Sequence, residues 1–297
     1  MDQAEQLRNI IKMQVRPKTV SRVITVTSGK GGVGKTSLSV NLAIRLQKMG
    51  KRVVILDADF GLANIEIMLG VRPVFNLADL MFKGKSLKDI IMTGPEGIGF
   101  ISGGSGIKEL AKLDRDQIYY VMQSLGELDD IADIIIVDTG AGIADSVLEF
   151  AAVSEEVLLV VTPEPTSITD AYALLKTLNR TEEFQASQTV IKLVANRVNT
   201  EQQGKEIFDK VSLVADKFLN IQLEYLGAVL DDDCVSRAVM QQKPLVLAYP
   251  NTPAAASMFQ LAECLEAPDT FMETIDDQGK GIKGLFTNLI HAKKKKK

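Results

Sequence analysis

The chain has 297 residues, with 34 lysines and arginines against 38 aspartates and glutamates, a formal charge of −4. That charge is unevenly spread: Gln278–Lys297 holds seven lysines and no acid, which leaves 27 basic against 38 acidic residues over 1–277, or −11. An acidic body argues against general nucleic-acid binding, which needs a net basic footprint, although a local patch is still allowed.

Hydrophobic residues make up 46%, with 22 glycines and only 9 prolines, enough for a packed core in one large α/β domain or two small ones. No apolar run reaches 18 residues, so no transmembrane helix is expected, and the start, Met1-Asp2-Gln3-Ala4-Glu5, lacks the layout of a signal peptide. Cys234 and Cys264 lie 30 residues apart and form neither a CxxC nor a disulfide framework, which suits a reducing cytoplasm. His291 is the single histidine, so a His-rich metal centre or a catalytic triad in the body is excluded.

In chain order, Asp2 and Glu5 have the spacing of a capping box, and Ala4, Leu7, Ile11 and Val15 make a thin apolar helical face that Pro17 should end. The plainer reading is a short helix packed on the body. Runs rich in β-branched residues then alternate with helical periodicity. Val23–Thr27, Val53–Leu56, Ile134–Val137, Val157–Val161, Val190–Ala195 and Leu226–Val229 are predicted strands. Lys35–Met49, Ser167–Thr181 and Glu201–Asn220 are predicted helices, and Thr93–Gly106 is predicted as loop around a short strand Gly99–Ile101. Several strands are apolar without alternation, as strands covered on both faces are. The expected fold is α/β: a mostly parallel twisted sheet flanked by helices on both faces, with ligands at the strands' C-terminal edge. The sequence divides into an N-terminal helix and linker (1–19), a main α/β domain (20–267) and a linker, amphipathic helix and lysine end (268–297).

Gly29-Lys30-Gly31-Gly32-Val33-Gly34-Lys35-Thr36, with Ser37 next, follows the first strand and opens a helix; its eight residues to Thr36 fit G-x-x-x-x-G-K-[ST] in its required context. Its glycines let successive backbone N–H groups turn toward one anion, and the helix N-terminus adds partial positive charge. Lys35 should reach the β- and γ-phosphates of ATP, and the Thr36 hydroxyl should hold Mg2+. Asp57-Ala58-Asp59, after the second strand, and Asp138, after four apolar residues, put carboxylates on the same edge. Asp57 and Asp59 can alternatively be turn or capping residues. Asp138 has the setting of a Walker B aspartate that holds Mg2+ through water, and Gly140 could offer its N–H to the γ-phosphate.

Lys30 is the distinguishing extra. Lys30–Thr36, KGGVGKT, resembles the deviant Walker A motif of the MinD/ParA family of dimerising ATPases. The resemblance implies an ATP-dependent homodimer in which Lys30 acts on the partner's nucleotide and Lys35 on its own. It implies that Asp59, supported by Asp57, positions the attacking water and a magnesium-bound water. Asn196 matches the family's adenine-reading asparagine, Leu230 and Asp232 lie near its base pocket, and Glu164 resembles a glutamate that touches the partner's nucleotide. From the residues alone, Asn196 is equally a turn asparagine after a strand, and Asp232 equally a helix cap.

Asp2-Gln3-Ala4-x-x-Leu7-Arg8 is similar to the D-Q-A-x-x-L-R signature of flagellar-number regulators of the FlhG (FleN, YlxH) type, which are MinD-like. The resemblance implies that this segment docks on the GTPase FlhF and stimulates it, with Gln3 orienting the attacking water. Flagellar switch-complex proteins are the other implied partners. Division-site selection, cargo positioning, or a nucleotide-gated scaffold with negligible turnover are the alternative uses of the same engine.

At the other end, Ile282, Leu285, Phe286, Leu289 and Ile290 share one helical face, followed by Lys293–Lys297. Gly279, Gly281 and Gly284 weaken this helix in water. The segment reads as an in-plane helix on an anionic membrane, similar to the targeting tail of MinD. Burying five apolar side chains contributes roughly 1.5–3 kcal/mol each, but ordering about ten residues costs about 1–2 kcal/mol apiece. One tail therefore holds weakly and two on a dimer hold better. Joined to the ATP-dependent dimer that the resemblance implies, this predicts a cytoplasmic protein that becomes peripheral at the membrane in its ATP state, and the flagellar resemblance implies polar or flagellar sites. The alternative is that the stripe packs back on the body.

Overall fold

The structure is a computed structural model and describes residues 20–59, 64–104, 113–267 and 281–295. Chain order begins with β1 (Arg22–Thr27), α1 (Lys35–Lys48), β2 (Val53–Ala58), α2 (Asn64–Leu69), α3 (Leu77–Phe82), α4 (Leu87–Ile90), β3 (Ile91–Thr93) and β4 (Gly99–Ser102). It continues with α5 (Arg115–Gly126), α6 (Leu128–Ile131), β5 (Ile134–Thr139), α7 (Asp145–Val153), β6 (Glu156–Val161), α8 (Pro165–Leu178), β7 (Val190–Val198) and α9 (Glu201–Leu219). Last come β8 (Leu223–Leu230), α10 (Asp233–Met240), α11 (Leu245–Ala248), α12 (Pro253–Glu266) and α13 (Gly281–Lys295).

The eight strands form one sheet in the order β3-β4-β2-β5-β1-β6-β7-β8, parallel throughout except for the β3–β4 pair at one edge. This is the mostly parallel, helix-flanked sheet that the apolar strands predict. Alternate residues of one strand feed different cores. Ile134 and Ile136 pack with α1 and α12 on one face, while Ile135 and Val137 pack with α3, α5 and α13 on the other. Val157, Leu159 and Val161 of β6 join α8 and α9 on that second face. Because both faces are covered, both side-chain rows must be apolar, which is why these strands show no alternation. β1 lies between β5 and β6, where the chain changes its direction of travel across the sheet, so the crevice opens at the C-terminal end of β1.

Element ends differ from expectation for local reasons. The helix expected from Ser167 starts at Pro165, where a missing N–H costs nothing in the first turn, and ends at Leu178. The helix from Glu201 ends at Leu219, because Asn220 caps it in the left-handed conformation (φ 55°). The last strand begins at Leu223, three residues before Leu226. Exposed Glu224 interrupts the apolar run there, and a bulge places Tyr225 opposite Leu193 but Gly227 opposite Val194. Gly227 (φ 148°) is required there, since a side chain would meet Leu261 at 2.8 Å.

The C-terminal amphipathic segment is a helix, Gly281–Lys295, docked on the body. Ile282, Leu285, Phe286, Leu289 and Ile290 are each at most 3% exposed and share a core with Val121 and Leu125 of α5 and Phe150 of α7. The Phe286 ring meets Phe150 edge-on with centroids 6.5 Å apart, and Lys293 Nζ lies 2.5 Å from Glu149 Oε2. Residues 281–295 therefore complete a core of the body, and the sequence boundary at 267 is not a boundary of packing. The segment 268–280 between them lies outside the described residues, as do residues 1–19 and with them Asp2, Gln3, Ala4, Leu7 and Arg8.

Candidate nucleotide site

β1 delivers the glycine loop to the crevice, and two of its glycines stand where a side chain would be strained. Gly32 (φ 76°) and Gly34 (φ 95°) are left-handed, and a side chain at Gly34 would strike the Asn196 amide at 2.5 Å. Gly34 is also the N-cap of α1, so the loop N–H groups and the helix N-terminus converge on one volume. Lys35 is the first residue of α1 and is largely buried. Its ammonium donates to Ser28 Oγ at 2.9 Å, and burial pushes its pKa down against the pull of Asp138 and Asp59.

The acids come from strand ends that only the sheet brings together. β2 pairs with β5 so that Asp57 lies opposite Asp138. Asp138, 1% exposed, accepts from Thr36 Oγ1 at 2.7 Å on one oxygen and from Ser39 Oγ at 2.8 Å on the other. Burial raises its pKa to about 6, and the two hydroxyl donors and Lys35 oppose that rise. Burial also pushes Asp57 up, to about 8; a hydrogen bond from the Asp59 N–H works against this, and the neighbouring charges of Asp138, Asp59 and Glu66 add to it. Asp57 is thus mostly neutral at pH 7, which removes a repulsion beside Asp138. The Asp59 carboxylate sits beside Gly140: a Cβ at Gly140 would lie 3.5 Å from Asp59 Oδ1. The Gly142 N–H closes the loop onto the Ser28 carbonyl at 2.9 Å. Hydroxyl and carboxylate oxygens are the donor set that Mg2+ prefers, so Thr36, Asp138 and Asp59 fit such an ion.

The remaining predicted residues lie around this centre. Lys30 Nζ reaches Glu164 Oε2 and Thr166 Oγ1, both at 2.8 Å, within the same chain. The Lys30 ammonium holds the Glu164 carboxyl below its usual range. Asn196 donates through Nδ2 to the Val33 carbonyl at 2.6 Å and accepts from the Arg197 N–H at 3.0 Å, which puts its amide against the phosphate loop. Leu230 donates its N–H to Ser257 at 3.3 Å. Asp232 caps α10 by accepting from the Cys234 N–H at 2.8 Å, the helix-cap arrangement that the sequence left open. Ser37 lies in the first turn of α1, where its carbonyl accepts from Asn41 at 2.7 Å. Sequence reading missed Ser28, Ser39 and Thr166. Ser39 had a signal, standing at i+3 from Thr36 and so on the same helix face.

Residues 24–245 match the family model for the CobQ/CobB/MinD/ParA nucleotide binding domain. The chain belongs to this family. It is 41% identical over 246 residues to the antiactivator FleN of Pseudomonas aeruginosa, covering 83% of this chain and 86% of that protein. It is 33% identical over 301 residues to the flagellum site-determining protein YlxH of Helicobacter pylori, covering 97% and 98%. Within the family it is of the FlhG/FleN/YlxH type, with a MinD-like nucleotide-binding ATPase domain. Its fold matches MinD in a MinC:MinD complex from Aquifex aeolicus, with a TM-score of 0.65 at 24% identity over 84% of this chain and 97% of that one. It matches MinD with Mg-ADP from Pyrococcus horikoshii equally, at 0.65 and 24% over 83% and 96%. Among the described residues no helix is long and apolar enough to cross a membrane.

Proposed function

We propose that the chain is an ATP-driven dimerising switch that controls the number and placement of flagella. The observation that carries this reading is the convergence of Lys35, Thr36, Asp138 and Asp59 at the mouth of the glycine loop, with a second lysine, Lys30, standing at its rim. When ATP binds, Lys35 leaves Ser28 for the phosphates, and the loop N–H groups and the α1 N-terminus hold the same anion. Magnesium, when bound, neutralises phosphate charge. Thr36 and, through water, Asp138 would hold it, and Asp59 would orient the attacking water beside Gly140. Lys30 breaks from Glu164 and crosses to the partner's nucleotide, so each site is complete only in the dimer, as an arginine finger completes other sites. Glu164, freed in the same step, faces the partner's nucleotide. Asn196 and Leu230 border the base, and Asp232 shapes their loop.

The apolar face of α13 sits in the core, so membrane attachment requires it to undock, and docking and insertion exchange. α7 supports a link to the nucleotide site. It follows the loop of Gly140 and Gly142 that leaves the end of β5, and it packs against α13 through Phe150. FlhF, switch-complex proteins and an anionic membrane are the proposed partners. Size-exclusion chromatography of Asp59→Ala with ATP should show a trapped dimer; a persistent monomer would count against the switch. Addition of the chain to FlhF should raise GTP turnover, and Gln3→Ala should remove that gain.

A further inference from the structure

We infer that Ser39 positions Asp138 for the metal, a role that rests on the magnesium–nucleotide reading of this site. Thr36 and Ser39 stand one turn apart on α1 and direct their hydroxyls at the two oxygens of a single carboxylate, at 2.7 Å to Oδ2 and 2.8 Å to Oδ1. Ser39 is 0% exposed and Asp138 1%, so no bulk water replaces the Ser39 bond if it is lost. The Ser39 oxygen also lies 3.1 Å from the Lys35 carbonyl. A hydroxyl has one proton, and the closer, charged acceptor takes it.

The two hydroxyls have different roles. One hydrogen bond leaves a carboxylate free to turn about its Cβ–Cγ bond, whereas two donors on opposite oxygens fix its plane. Thr36 has a second duty, since its oxygen is also the protein's own candidate ligand to the ion. Ser39 has no such duty. It anchors Asp138 from the far side and keeps the carboxylate from turning toward Asp57, its neighbour across the β2–β5 pairing. An outer hydrogen bond of this kind sets the orientation of a metal-holding group, and its loss typically weakens metal binding by about 10- to 100-fold.

The test uses the full chain and a fluorescent ADP analogue, titrated with MgCl2 and, separately, in EDTA. Ser39→Ala should bind the analogue as the unmodified chain does in EDTA, measured below the melting temperature of both. Its half-saturating Mg2+ should rise about tenfold or more, and Ser39→Thr, which keeps the hydroxyl, should restore the original value. An unchanged Mg2+ midpoint in Ser39→Ala overturns the proposal, and so does an equal loss of binding with and without Mg2+, which would mark Ser39 as part of the fold alone. If the unmodified chain binds the analogue without any response to Mg2+, the magnesium reading itself fails, and this role for Ser39 fails with it.

Discussion

Phe150→Leu tests whether the docked tail helix limits membrane attachment. Phe150 belongs to the body, so the substitution leaves Ile282, Leu285, Phe286, Leu289 and Ile290 intact for lipid. What it removes is the edge-on contact with Phe286 at 6.5 Å. Such aromatic geometry contributes about 0.5–1.5 kcal/mol beyond area, and the smaller side chain loses about 1 kcal/mol more in packing. If most of that falls on the docked state, docking weakens by about 1–2.5 kcal/mol, which multiplies the undocked fraction roughly five- to seventyfold. Co-sedimentation with anionic vesicles, without nucleotide, should therefore capture more Phe150→Leu than unmodified chain. A chain ending at Gln278 should not be captured, and added salt should release the bound protein as the lysines are screened. An unchanged bound fraction in a folded Phe150→Leu protein would refute the reasoning, because docking would then have no influence on attachment.

Two further outcomes follow from the site and the sheet. Asp57 has a folded pKa of about 8, well above the ordinary carboxylate range, so the unfolded chain binds fewer protons than the native one between the two values. Native stability in EDTA should then fall by about 1 kcal/mol per unit as pH rises from roughly 5 to 8, and thermal melts of Asp57→Asn should be more stable at pH 8 with a flatter profile. Glu156 is wholly buried between Arg22, at 2.7 and 2.8 Å, and Lys192, at 3.3 Å. Glu156→Ala leaves those two cations without it and should cost about 3–5 kcal/mol in denaturant unfolding, while nucleotide binding at the opposite strand ends persists.

The glycine loop was legible because everything it needs is local: a strand, a run of glycines, Lys35, Thr36 and a helix in consecutive sequence. The parallel sheet was legible for a similar reason, since strands covered on both faces carry apolar residues in both rows. The partnership of Asp57 with Asp138 was not legible, because it depends on β2 pairing with β5, which lies far along the chain. The same pairing creates the crowding that adds to the rise at Asp57 and, with α1 laid over β5, gives Ser39 its acceptor. The start of β8 was not legible because Glu224, exposed at the sheet's edge strand, interrupts the apolar run.

The tail shows most clearly where the two kinds of information part. Periodicity by itself determined that Ile282, Leu285, Phe286, Leu289 and Ile290 form one apolar stripe, and composition that lysines follow it. A stripe records only that something apolar must cover it. Lipid and the side chains of α5 and α7 remove the same surface from water, so the stripe could not choose between them; only the tertiary structure supplies the docked cover, in which Phe150 and Glu149 receive Phe286 and Lys293.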